Sequence, residues 1–163
     1  MRKVEIIEST DRTKLTFAAV KHFFEAVEEL SSSTENIVVS LPGGGSVQDF
    51  FSCLSEKYGL LERSIWKKLH FFWTDERLVP PGSPDSNYSL AARLFLDTLS
   101  SMGLVEESQV HRFPGETSEV RKAVEVYRTE LESVSSGVGH VPILGVGPDG
   151  YAGALFPRRP ELL

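Results

Sequence analysis

Three short stretches of this chain gather residue types suited to binding and opening a small anionic molecule. The first, residues 42–47 (PGGGSV), sets Gly43, Gly44 and Gly45 directly before Ser46 at the expected start of a helix. Free N–H groups and the positive end of the helix dipole favour an anion such as phosphate there. The Ser46 hydroxyl can cap the helix, touch the anion, or do both. The second stretch places Asp75, Glu76 and Arg77 immediately after an aromatic, apolar run. A guanidinium binds phosphate through paired hydrogen bonds, while a neighbouring carboxylate orients it or holds a sugar hydroxyl; a solvated charge cluster is the bland alternative. The third is the turn Gly147, Pro148, Asp149, Gly150, Tyr151. Its glycines can adopt positive φ and bring backbone N–H groups close to a ligand, Pro148 stiffens it, and Asp149 is its one charge. Taken alone, this turn also reads as a strand-to-helix connection with no ligand, because it matches neither the dinucleotide fingerprint nor the P-loop.

These residues can act together only if regular elements carry them to one place. Residues 4–7 read as a short strand, and Asp11 can cap a helix reaching about residue 30, with Leu15, Ala18, Ala19, His22, Phe23, Ala26 and Val27 at helical spacing. A strand is expected over 37–41, and a helix opening at Ser46 with Asp49 as a capping-box variant. A second strand over 69–73 precedes a Pro- and Gly-rich loop, and Asp85, Ser86 and Asn87 begin a helix reaching residue 99. A strand over 110–113, an amphipathic helix over 118–134 and a strand over 141–146, apolar enough to be buried on both faces, complete the pattern. Strands alternating with helices imply an α/β fold: a doubly wound, mainly parallel, Rossmann-like sheet with helices on both faces and right-handed crossovers. All three stretches then lie at the carboxyl edge of that sheet, where such folds bind ligands.

The whole chain has 163 residues, 40% of them hydrophobic and 25% charged, with a formal net charge of −6, which suits one ordinary globular domain. The acidic balance argues against a nucleic-acid surface, so an anionic ligand has to be held by local donors. Cys53 is the one cysteine, which excludes an internal disulfide framework or a multi-cysteine metal site and fits a reducing compartment. The first residues, MRKVEIIESTDR, lack the apolar core of a signal peptide, and no apolar run approaches a membrane span; a cytoplasmic protein is expected.

In order along the chain, the three stretches closely resemble the 6-phosphogluconolactonase family, within the group that also includes glucosamine-6-phosphate deaminase and ribose-5-phosphate isomerase. LPGGGSV is similar to the family's phosphate loop LSGGSTP, WTDERLVPPGSPDSNY to its DER–PDSNY block, and LGVGPDGYAGALFP to LGMGPDGHTASLFP. The DER–PDSNY pair is the most specific of these, since the deaminases do not share it. The resemblance implies hydrolysis of 6-phosphogluconolactone to 6-phosphogluconate in the oxidative pentose phosphate pathway, with no metal or organic cofactor and a phosphorylated sugar lactone as partner. It also implies roles: Gly43, Gly44, Gly45, Ser46, Arg77, Asn87, Gly147 and Gly150 in phosphate or sugar binding, and Asp75, Asp149 and Tyr151 at the reacting end.

Two departures from the family pattern stand out. The family has histidine after PDG, usually assigned as the general base or its partner, where this chain has Tyr151. A phenol of pKa near 10 is only about 0.1% ionised at pH 7, and serving as base would require lowering that pKa by about three, equivalent to about 4 kcal/mol. The remaining histidines offer no evident substitute. His140 and His70 sit at the starts of their strands, about 20 Å from the carboxyl-end loops. His22 lies on the expected packed face, and His111 has no clear placement. The second departure is length: residues 1–163 are expected to form a single lactonase-like domain lacking the family's C-terminal portion, with an exposed sheet edge open to self-association.

Overall fold

A computed structural model describes residues 4–147, 150–153 and 155. Helix α1 spans Arg12–Ser31 and begins as expected, with the Asp11 carboxylate accepting from the Lys14 N–H at 3.1 Å. Its buried stripe is Val20, Phe23, Phe24 and Val27, at i, i+3, i+4 and i+7. His22 lies on the opposite side of the helix, half-exposed beside Glu25, so its expected packing role is overturned. Strand β1 (Ile37–Leu41) pairs in parallel with β2 (Leu69–Trp73), from Ile37 against Leu69 to Leu41 against Trp73. On its other side β1 pairs in parallel with β3 (Val141–Pro142).

Beyond β2, Val110 forms a single parallel bridge with Phe71, and the His111 N–H donates to the Phe71 carbonyl at 2.9 Å. The chain therefore lays strand positions outward from β1 through β2 to Val110, then crosses back to place β3 on the far side of β1. That reversal of direction between β1 and β3 is the topological switch point where doubly wound folds open a ligand crevice. Helix α2 (Gln48–Glu56) and the short α3 (Arg63–Trp66) pack with α1 on one sheet face. They share that face with the helical run α4 (Asn87–Ala91), a π turn (Ala92–Leu96) and α5 (Asp97–Ser101). Leu69, Phe71 and Trp73 enter this core, whereas Phe72 faces the other side, against His111 and Tyr127 of α6 (Val120–Ser135). Period-two alternation thus serves two helical layers.

Three expected strands are corrected. Residues 4–7 form no strand, and Val4 and Ile6 are 84% and 78% exposed: the segment buries none of its side chains, so nothing offsets the entropy cost of ordering it against an edge. The expected strand over 141–146 is reduced to Val141–Pro142 and is not buried: Leu144 and Val146 are 53% and 69% exposed. No strand flanks its outer side among the described residues, and Pro142 has no N–H to contribute to a ladder. The strand over 110–113 shrinks to the bridge at Val110.

Candidate functional site

The first loop leaves β1 at Leu41 and enters a 3-10 turn, Gly45–Val47, before α2. Ser46 does not cap it: that turn has no side-chain cap, and Asp49, the expected capping-box partner, pairs instead with Arg12. The glycines divide into two kinds. A Cβ on Gly43 would lie 1.8 Å from Asn87 Oδ1, so Gly43 is there to admit the asparagine. Gly44 holds φ +90° and ψ 179°, a conformation glycine alone adopts cheaply, and open space surrounds the Cβ positions of Gly44 and Gly45. Their backbone is accessible to a ligand.

The second loop is fastened at both ends. Thr74 N–H donates to the Leu41 carbonyl at 2.9 Å, tying the end of β2 to the end of β1. Asp75, with its side chain 12% exposed, accepts from Thr74 Oγ1 at 3.3 Å and pairs with Arg77 Nη1 at 3.0 Å. Glu76 turns away from the crevice and closes the loop. One of its oxygens accepts from the Arg77 and Asn87 N–H groups at 2.7 and 2.8 Å, the other from the Tyr88 N–H at 2.8 Å and Ser86 Oγ at 3.1 Å. The carboxylate thereby satisfies the free N–H groups that open α4. Ser86 is the N-cap, accepting from the Ser89 N–H at 3.1 Å. Asn87 is 4% exposed, and its Nδ2 donates to the Asp75 carbonyl at 2.9 Å, so its amide chiefly braces the two loops.

The third loop follows β3. Ile143 N–H donates to the Ser40 carbonyl at 2.9 Å, and a Cβ on Gly145 would lie 2.8 Å from Ser46 Oγ, so the first and third loops touch. Gly147 N–H donates to the Tyr151 carbonyl and Gly150 N–H to the Gly147 carbonyl, each at 2.9 Å, with Gly150 at φ +81°. Asp149 lies outside the described residues.

Two clefts result. A cleft of about 220 Å³ lies between the ends of β1 and β3, lined by Gly43, Gly44, Gly45, Ser46, Asp75, Gly145, Gly147 and the half-buried Tyr151. A wider one of about 570 Å³ lies on the other side of Gly44 and Gly45 and carries Gln48, Arg77, Asp85, Asn87 and Arg93. The structure brings Gly43–Ser46, Asp75, Gly147 and Tyr151 to one crevice and puts Arg77 beside it. Sequence reasoning missed Gln48, Arg93 and the bracing role of Glu76; the helical spacing of Asn87, Leu90 and Arg93 was the available signal for Arg93. The histidines lie elsewhere. His140 Nδ1 accepts from the Val38 N–H at 3.0 Å, and His70 Nδ1 meets His111 Nε2 at 2.9 Å, with His111 Nδ1 2.7 Å from Glu130. Burial, then the neighbouring His111, lowers the His70 pKa. No group of His, Cys, Asp and Glu suited to a metal ion occurs among the described residues, and none of their helices is long and apolar enough to cross a membrane.

This arrangement has known counterparts. Residues 10–163 match the family described as glucosamine-6-phosphate isomerases/6-phosphogluconolactonase. A 6-phosphogluconolactonase of Haemophilus influenzae is 31% identical over 150 residues, covering 89% of this chain and 62% of the relative. The solved structure of the 6-phosphogluconolactonase from Trypanosoma brucei superposes with a TM-score of 0.76 at 26% identity, over 96% of this chain and 64% of that one. That of Thermotoga maritima gives 0.71 at 26% identity, over 86% and 60%. The chain thus spans about three fifths of the length of these relatives.

Proposed function

This chain belongs to the family of glucosamine-6-phosphate isomerases and 6-phosphogluconolactonases, and from that membership we propose that it hydrolyses 6-phosphogluconolactone to 6-phosphogluconate. The observation that carries the reading is the convergence of Ser46, Asp75 and Tyr151 on one cleft at the switch point, with an arginine alongside. A lactone needs a base for the attacking water, donors for the oxyanion that develops on the carbonyl, and a proton for the departing ring oxygen. Asp75 is the carboxylate of the described lining and accepts the water proton. The Ser46 hydroxyl, exposed and without a hydrogen bond among the described residues, and the open backbone of Gly44 and Gly45 supply donors. The Tyr151 phenol, which lines the same cleft, donates a proton to the ring oxygen. One water is consumed: its oxygen bonds to the carbonyl carbon, the bond from that carbon to the ring oxygen breaks, the proton held by Asp75 returns to Tyr151 through solvent, and the new carboxylic acid ionises to a carboxylate with release of one proton.

The same reading takes Asp149 as a second carboxylate at the reacting end, the location as cytoplasmic, and the outer edge of β3, which no strand flanks among the described residues, as a surface for self-association. Acid release from fresh 6-phosphogluconolactone tests it. Purified chain is expected to outpace spontaneous opening, and Asp75→Asn to lower the catalysed rate by about 10²- to 10⁴-fold. Ammonia release from glucosamine 6-phosphate instead would make it a deaminase. Binding of 6-phosphogluconate with no acceleration would leave a sugar-phosphate-binding homologue, the reading that Tyr151 in place of histidine favours.

A further inference from the structure

The two clefts differ in the charged side chains of their described linings. The charged side chain among the described lining of the smaller cleft is a carboxylate, Asp75, already paired with Arg77, so that lining offers a phosphate no cation of its own. The wider cleft holds two guanidinium groups, Arg77 and Arg93, against one carboxylate, Asp85. Arg77 spends one nitrogen on Asp75, leaving further donors, and Arg93 makes no ion pair among the described residues. The N-terminus of α4, which also borders this cleft, is already occupied by Glu76, so side chains have to meet an anion there. Asn87, Leu90 and Arg93 recur at i, i+3 and i+6 along that helical run and share the cleft wall. Arg93 stands in the π turn, an irregularity that natural helices often place at functional sites.

We infer that Arg93 is a phosphate-binding residue paired with Arg77 in the wider cleft, so that a sugar phosphate lies across the Gly44–Gly45 backbone with its ring in the smaller cleft. This rests on the sugar-phosphate reading above and assigns its two ends. The guanidinium acts on the phosphate alone, so its loss weakens phosphorylated ligands and spares the sugar. The experiment compares binding of 6-phosphogluconate, by calorimetry, with binding of gluconate, by ligand-observed magnetic resonance, in the unaltered chain and in Arg93→Gln and Arg93→Lys variants. The expected result is a preference for 6-phosphogluconate that falls about 10- to 100-fold in Arg93→Gln, the range for one charge-assisted contact. Gluconate binding is expected to stay within about twofold, with Arg93→Lys intermediate. A preference unchanged in Arg93→Gln overturns the role of Arg93 and leaves the sugar-phosphate reading intact. An unaltered chain that binds both ligands alike overturns both. A merely structural role would weaken both ligands together, which also counts against the assignment.

Discussion

Replacing Glu76 with glutamine tests whether the second loop is held by the geometry described. The carboxylate accepts four hydrogen bonds, two on each oxygen, from Arg77 N, Asn87 N, Tyr88 N and Ser86 Oγ. Glutamine keeps one oxygen and presents an NH₂ group to the two donors facing the other. Two charge-assisted bonds at about 1.5–3 kcal/mol each are lost in the worst orientation. The cheaper orientation turns the NH₂ toward Ser86, whose hydroxyl can accept, and water reaches this half-exposed residue. The net cost is therefore about 3 kcal/mol, which for a chain of this size lowers Tm by about 6–12 °C. Thermal unfolding followed by circular dichroism measures it. A change below about 3 °C would show that Glu76 does not close the loop, and the account of how Asp75, Arg77 and Asn87 are positioned would fall with it.

Two further substitutions separate glycines that look alike. Gly43→Ala puts a methyl group 1.8 Å from Asn87 Oδ1 and must expel the amide from its contact with Asp75, costing about 2–4 kcal/mol in denaturant unfolding. Gly45→Ala meets nothing within 4 Å and is expected to change stability by less than about 1 kcal/mol. A pH series probes the histidine pair. Because the folded pKa of His70 lies below its ordinary 6.5, the unfolded chain binds the proton more readily, so stability is full above about that pH and declines as pH falls through it. Tm measured at pH 7.5 and 5.5 is expected to fall less in His70→Gln than in the unaltered chain; equal falls would contradict the assignment.

Local signals were legible where neighbours in sequence decide the structure. Asp11 and Ser86 cap the helices they precede, and β1 and β2 lie where their apolar runs place them. Residues 4–7 and 141–146 also carry strand patterns, but a strand further needs a surface that buries its side chains, which composition does not record. Glu76 sits between two residues of the crevice and reads as chemistry until residues 86–88 fold back onto it. Gly43 likewise reads as part of a phosphate loop, and its need for glycine is set by Asn87. The parallel fold and the crevice were thus recoverable from pattern, whereas the division between residues that brace it and residues that face a ligand depends on contacts between distant loops.

Ser46, Asp75 and Tyr151 are proposed as a working lactone site in which position 151 carries a tyrosine. Acid release from 6-phosphogluconolactone by the purified chain, beside its Tyr151→His variant, tests that claim most directly. Opening faster than the spontaneous reaction is expected for the chain as it stands, and faster still once an imidazole of pKa near 6.5 occupies position 151. Spontaneous rates from both proteins would contradict it.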